Sequence, residues 1–299
     1  MAPYFLAATS FVLSFQKEST AEAYRRDLGL YFRWCADVGI TDPLQVKRVH
    51  LQGYVRHLAS ERRTVTGKPL ASATVNRYVN TVKGYYTHAL DEGYTELAPA
   101  HRLKLPKIIN DPTKRRYLTR FEAGSLFRVA RLSPNPSELA MLHLLCTMGM
   151  RVTAACEAQI EDMTRTPEGY VYLRTQGKGD KVLSLALTIP AINAISRAIG
   201  DRTSGTILLR SDGQPMKRRN AAGIVDRLCR AAGIRKHVTP HCFRRTHITL
   251  ALKAGVPLDV VQRGVGHANP RTTQGYNALD VEPHAQASNV ISAMIASAS

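Results

Sequence analysis

Thr239-Pro240-His241-Cys242-Phe243-Arg244-Arg245-Thr246-His247 opens with a residue that caps helices and a proline suited to the first helical position. A helix is therefore expected to start at Pro240. His241 and Arg244 then stand three apart on its first turn and point the same way. A helix end with free N–H groups also favours anions. The turn is thus a plausible phosphate cradle. An isolated His-x-x-Arg equally fits a packed histidine beside a surface ion pair, so the reading depends on what surrounds it.

Downstream, a short helix beginning at Pro257 leads to Gly266-His267. Asn269-Pro270 starts another helix, which carries Thr272, Thr273 and Tyr276. Upstream, Glu138 to Thr147 is apolar nearly all round and predicts a buried helix, which Gly149 ends. Arg151 lies just past that turn. An arginine beside Met148 and Met150 needs an anionic partner if it is buried. Tyr170–Thr175 and Val182–Leu187 alternate like strands and predict a β-hairpin, with Lys178 between glycines at its tip. Past Pro190 the chain turns helical, then reaches Lys217-Arg218-Arg219 before a helix through Val225 and Leu228.

These residues make a chemical set. A tyrosine hydroxyl, with a pKa near ~10, is a poor nucleophile at neutral pH. It attacks a phosphodiester only if its proton can leave and the charge growing on the phosphate is neutralised. Arg151, Arg244 and one histidine suit the second task, and the other histidine suits the first. No metal is needed for this, and none is expected. His237, His241, Cys242 and His247 do not have zinc-site spacing, and no CxxC pair or carboxylate cluster supports one.

The N-terminal half reads as helical. Ser19 and Glu22 form a capping box, after which Tyr24, Leu28, Tyr31, Cys35 and Val38 recur at helical spacing until Gly39. A second helix is expected from near Pro43 through Val46, Leu51, Tyr54, Val55 and Leu58. A third follows Ser72, with Val75, Val79, Val82 and Tyr86 on one face and Arg77, Asn80, Lys83 and Thr87 on the other. Basic and small polar residues interleaved on a face can lie along phosphates, although a solvated face has the same pattern. Residues 4–15 are apolar without a basic flank or a cleavage site, and predict a first strand or a cap on the first helix rather than a signal peptide. Pro106 and Pro112, with Lys107, Lys114, Arg115 and Arg116, mark 106–116 as a basic linker between a domain at 1–105 and another at 117–299.

Composition agrees. The 299 residues are 44% hydrophobic, enough for two packed domains. Lys+Arg 41 against Asp+Glu 23 gives +18, split as 15 against 9 in residues 1–110 and 26 against 14 in 111–299. Both parts being basic favours a polyanion that touches both. The five cysteines lack paired spacing and read as reduced packing residues of a cytoplasmic protein. No apolar run reaches the ~20 residues of a membrane helix.

Taken in order, the motifs resemble the tyrosine recombinases, or phage integrase family, which includes the Xer-type recombinases. Thr147-Met148-Gly149-Met150-Arg151-Val152 is similar to that family's first arginine box. Gly177-Lys178-Gly179-Asp180-Lys181 is similar to its lysine hairpin, 239–247 to its His-x-x-Arg box, and Gly266-His267 with Tyr276 to its closing histidine and nucleophile. Thr20 to Trp34, and Leu105-Pro106-Lys107, resemble its helical core-binding domain. Two departures stand out: Ala154 where the family usually has a carboxylate, with Glu157 as a substitute, and Gly275 directly before Tyr276. Fewer than twenty residues precede the first expected helix, so the chain resembles the two-domain members without an arm-binding domain.

The resemblance implies a mainly α protein with a small β-sheet, a helical core-binding domain followed by a mixed α/β catalytic domain. It implies site-specific DNA recombination or integration by a bacterial, phage or mobile-element protein, without metal or ATP. Tyr276 would form a 3′-phosphotyrosyl ester. Arg151 and Arg244 would hold the non-bridging oxygens, and Lys178 would protonate the leaving 5′ oxygen. His267 would take the tyrosine proton and His241 would support the phosphate. Lys217, Arg218 and Arg219, with Arg77, Lys83, Lys114, Arg115 and Arg116, are candidates for DNA contact. The partners implied are duplex recombination sites and a homotetramer, with Val290, Ile291, Met294 and Ile295 as an apolar stripe for docking on a neighbour, and an accessory directionality factor. Rival readings are a type IB topoisomerase-like enzyme and a catalytically silent DNA-binding protein of the same fold.

Overall fold

The computed structural model describes residues 2–108, 117–176 and 182–266. The chain divides into two compact units, Met1–Asn110 and Asp111–Ser299.

The first unit is helical. Its apolar start forms helix α1 (Pro3–Leu13), with proline in the first turn, rather than a strand. Ala7, Ala8, Phe11 and Val12 are its buried stripe. Helix α2 (Glu18–Asp37) begins one residue before Ser19. The Lys17 carbonyl accepts from the Thr20 and Ala21 N–H groups, so the expected Ser19–Glu22 box does not form. The segment from Pro43 is two pieces: a 3₁₀ turn (Pro43–Gln45) and, past an extended Val46, helix α3 (Arg48–Arg56) with a wider turn at His57–Glu61. Helix α4 (Ser72–Asp91) runs as its spacing predicts. The buried faces meet in a core rich in tyrosine: Tyr31, Tyr54, Tyr85 and Tyr86 are almost fully enclosed. Burial pushes the Tyr31 and Tyr86 phenols far up, so both stay neutral. Their hydroxyls bond each other at 2.7 Å, and Tyr86 donates to the Pro43 carbonyl. Residues past α4 still belong to this unit: Ala100 and Leu103 are buried, and Asn76 Nδ2 donates to the Pro106 carbonyl at 3.0 Å.

The second unit packs helices around a small sheet. Helix α5 (Arg120–Arg131) starts with a capping box of Thr119 and Glu122. Helix α6 (Pro136–Leu142) runs into a π turn (His143–Thr147) and then α7 (Val152–Glu157). Strands β1 (Met163–Arg165), β2 (Val171–Gln176) and β3 (Val182–Ala186) form an antiparallel sheet in the order β1-β2-β3. Gln176 pairs with Val182, so the hairpin lies as expected, with its tip outside the described residues. Strand β1 is an addition that the sequence did not announce. Helices α8 (Ile189–Ile199), α9 (Arg218–Ala231), α10 (Pro240–Lys253) and α11 (Leu258–Val265) follow. The core joins α5, α6 and the π turn to Val171, Leu173, Val225, Leu228 and Phe243. All five cysteines are buried free thiols. No described helix is long and apolar enough to cross a membrane.

Candidate active site

The site begins with how one helix ends. At the close of the π turn, Met148 N–H donates to the His143 carbonyl and Met150 N–H to the Leu144 carbonyl, at 3.0 and 2.9 Å. Gly149 between them has φ +65°, the left-handed conformation that lets a helix stop abruptly. Arg151 then stands as N-cap of α7, half-buried at the rim. No hydrogen bond or ion pair joins its side chain to another described residue.

Helix α10 starts at Thr239-Pro240 as the sequence predicts. The Thr239 hydroxyl lies 3.3 Å from Cys242 Sγ. One turn in, Arg244 is only 4% exposed. Its Nη1 donates to the Gly149 carbonyl at 2.8 Å, and its Nη2 donates to the Val265 carbonyl. A buried guanidinium thus ties the turn before Arg151 to the end of α11. His241, at the start of α10, is exposed along one edge. Desolvation first, then the charges of Arg245, Arg244, Arg151 and Arg218, hold its imidazole below the ordinary histidine value. His247 is held low as well, mainly by burial and further by Arg244, while the Thr147 and Cys146 main chain hydrogen-bonds the ring and pulls the other way. A Cβ on Gly149 would come within 2.7 Å of His247 Cδ2, so the ring lies directly against that turn.

The remaining wall comes from the hairpin and α11. Gly266 closes α11 with φ 62° and ψ 48°. A Cβ there would meet Leu183 Cδ1 at 2.4 Å, so the helix end rests on β3. A small cavity of about 20 Å³ is lined by Arg151, Arg244, Ala154, Thr175, Leu183 and Val265, among others. The two arginines, the roots of the lysine hairpin and the residues just before His267 therefore converge. No carboxylate lines this cavity among the described residues. Ala154 faces it, whereas Glu157 is exposed at the far end of α7 and is not part of the wall. Lys178, His267, Tyr276, Gly275, the helix expected from Asn269-Pro270 and the stripe Val290–Ile295 lie outside the described residues.

Sequence reasoning missed several supports. Leu118 N–H donates to Thr246 Oγ1 at 2.8 Å, and Lys236 Nζ donates to the Tyr117 carbonyl and pairs with Glu122, both at 2.6 Å. The chain just past the expected linker is thereby pinned to α10. Glu138, 5% exposed, pairs with Arg227 and accepts from Ser133 Oγ at 2.6 Å. Backbone acceptors and single charged residues carry no periodic signal, so only the three-dimensional arrangement reveals them.

The candidate DNA contacts are placed as follows. Lys217, Arg218 and Arg219 are exposed at the N-terminus of α9, where Lys217 N–H donates to Asn220 Oδ1 at 3.0 Å. Arg218 is near enough to His241 to lower its pKa. On α4, Arg77 pairs with the buried Asp27 and lies over the Tyr78 ring at 4.2 Å, and Lys83 is partly exposed. Lys114, Arg115 and Arg116 lie outside the described residues. Among the described residues, no three His, Cys, Asp or Glu side chains group as a metal site would require.

Residues 116–282 match the profile described as "Phage integrase family", and residues 12–93 match "Phage integrase, N-terminal SAM-like domain". A relative, tyrosine recombinase XerD of Corynebacterium glutamicum, is 27% identical over 283 residues, covering 88% of each chain. Among solved structures, XerH site-specific recombinase bound to palindromic difH substrate in a post-cleavage complex has a TM-score of 0.71 at 18% identity, over 91% of this chain and 80% of that one. A lambda integrase tetramer bound to a Holliday junction has a TM-score of 0.70 at 17% identity, over 90% and 77%. At such identities these two likenesses concern the fold.

Proposed function

The chain belongs to the phage integrase family, and on that premise we propose how its residues cut and rejoin DNA. It is a tyrosine-type site-specific recombinase acting on double-stranded DNA. The observation that supports the assignment of the site is the gathering of Arg151 and Arg244 on one cavity. Arg151 has no hydrogen-bond or ion-pair partner among the described residues, Arg244 is held by two carbonyls, and no described residue of the lining is an acid. Burial first, and then the like charges of Arg245, Arg244, Arg151 and Arg218, lower the His241 pKa, and an anionic ligand would relieve the part due to charge.

In the proposed reaction, Tyr276 attacks a backbone phosphorus and the bond to the 5′ oxygen breaks. The products are a 3′-phosphotyrosyl ester and a free 5′-hydroxyl. Arg151 and Arg244 bind the two non-bridging oxygens as charge grows on them. His267 accepts or positions the phenol proton, and Lys178, at the hairpin tip, gives a proton to the departing oxygen. His241, its pKa lowered by burial and further by its arginine neighbours, supports the phosphate and shares the proton work. A 5′-hydroxyl from a second duplex then reverses the attack. One phosphoester replaces another at each step, so the bond energy is conserved. Arg77, Lys83, the 106–116 linker and Lys217–Arg219 contact the phosphates on either side of the scissile position.

Exchange between two duplexes requires four such sites. The lambda integrase described as a tetramer on a Holliday junction supports extending that assembly to this chain, with Val290, Ile291, Met294 and Ile295 docking on a neighbour. An accessory factor that sets direction fits the same scheme. A duplex nicked close to the cleavage position tests the function. The wild-type chain should leave a covalent protein–DNA band. Tyr276→Phe should bind the same duplex with unchanged affinity and leave none. A Tyr276→Phe variant that still forms the adduct would refute the assignment.

A further inference from the structure

We propose that His247 is a positioning residue for Arg151, its ring serving as the platform that sets the turn from which Arg151 projects. The proposal rests on the reading of Arg151 as a phosphate clamp. Helix α10 meets the Cys146–Gly149 turn with two side chains three apart on one face, Arg244 and His247. Arg244 draws the turn inward through the Gly149 carbonyl at 2.8 Å. His247 opposes it: a Cβ at position 149 would lie 2.7, 2.9 and 3.2 Å from its Cδ2, Cγ and Nε2. The same ring hydrogen-bonds the main chain of Thr147 and Cys146. The turn is thus tethered to α10 by Arg244 and kept at its distance by the His247 ring.

The path from this contact to Arg151 has no slack. Only Met150 intervenes, and it is 3% exposed with its N–H committed to the Leu144 carbonyl. A shift at Gly149 therefore passes directly to the N-cap of α7. Arg151 has no other described side-chain partner to restore its direction. Clamps of this kind are sensitive to placement, since a misplacement of about 1 Å can cost on the order of a hundredfold in rate.

The experiment is a double-mutant cycle on covalent adduct formation, using the full chain and a nicked duplex under single-turnover conditions. His247→Ala should slow adduct formation about tenfold to a hundredfold, with duplex affinity within about twofold of wild type. His247→Phe, which returns a flat ring beneath Gly149, should recover most of the rate. In an Arg151→Ala background, His247→Ala should cost nothing further. An equal fold-loss in that background would overturn the proposal, because His247 would then support the fold and not Arg151. So would a wild-type rate in His247→Ala. If the alanine variant is unfolded at the assay temperature, His247→Leu, which fills the space without a flat ring, takes its place with the same two outcomes. A wild-type chain that traps no DNA removes the proposed function and this proposal with it. A wild-type chain that is active while Arg151→Ala is equally active removes the clamp role alone.

Discussion

Gly266→Ala probes the joint between α11 and the hairpin. Two costs can be read from the structure. The first is conformational: at φ 62° and ψ 48°, a residue with a Cβ loses about 1–2 kcal/mol. The second is contact: the new methyl would sit 2.4 Å from Leu183 Cδ1 and 3.3 Å from Cδ2. Carbon atoms rest at roughly 3.5–4 Å, so Leu183 must retreat by about 1 Å. It lines the small cavity beside Arg151 and Arg244 and can turn partly into it, at about 0.5–1.5 kcal/mol of rotamer strain. The sum is about 1.5–3.5 kcal/mol. In a unit of this size that lowers the melting temperature by roughly 3–14 °C. The rate should fall too, because the Val265 carbonyl that holds Arg244 moves with the helix end. Thermal melting followed by circular dichroism, with adduct formation on the nicked duplex, measures both. Adding Leu183→Ala removes the contact but leaves the backbone strain, so the two changes should couple favourably by about 1 kcal/mol. A Gly266→Ala variant that melts within about 1 °C of wild type would refute the packing of α11 on β3.

The two arginines should part company in stability. Arg244→Ala orphans the Gly149 and Val265 carbonyls and should cost about 3 kcal/mol or more, whereas Arg151→Ala, which has no described partner to lose, should melt near wild type. Both should lose about a hundredfold or more in adduct formation, and chemical denaturation beside single-turnover assays separates the two effects. His241 and His247 are both held below the ordinary histidine value. The unfolded chain then takes up protons first as pH falls through roughly 6.5, so stability is full above that pH and declines below it. A phosphate among the arginines offsets the charges that, after burial, lower His241, so duplex binding should take up protons as pH falls below about 6.5, and His241→Asn should abolish that uptake in calorimetry run in buffers of different ionisation enthalpy. Replacing Lys217, Arg218 and Arg219 by alanine should weaken binding to all sequences alike and reduce the slope of log affinity against log salt by up to about three.

What the sequence disclosed follows its physics. Helices α2 and α4 were legible because Leu28, Tyr31 and Cys35, or Val75, Val79, Val82 and Tyr86, repeat at the helical period and are buried. The hairpin was legible from alternation and a glycine-rich tip. Helix α1 was not, because Tyr4 to Phe15 is apolar on every side and neither period stands out: Phe5, Leu6 and Leu13 are exposed although the stripe beneath them is buried. Strand β1 has three residues, too few to alternate. The helix start near Ser19 misled because the Lys17 carbonyl builds the first turn without a side-chain cap. At the site, residue types and order singled out Arg151, His241 and Arg244 as candidates, while the means of holding them stayed hidden. Arg244 is anchored by main-chain carbonyls, which every residue has, and His247 meets a glycine that offers no side chain to read.

That anchoring accounts for how a site crowded with positive charge can be folded before DNA arrives. A carboxylate beside Arg151 would stabilise it in the free protein, but on the proposed function it would have to be displaced by the phosphate and would oppose it electrostatically. Carbonyl oxygens orient Arg244 through dipoles while leaving its net charge in place. The cost is partial repulsion within the cluster, which adds to burial in lowering the His241 pKa. Helix α10 bears that load at several points. Thr246 fixes the chain that enters the unit at Leu118, Arg244 binds two turns that supply the rest of the site, and His247 supports the first of them. On the proposed function, such anchoring sets the direction of Arg244 through the Gly149 and Val265 carbonyls before a phosphate arrives.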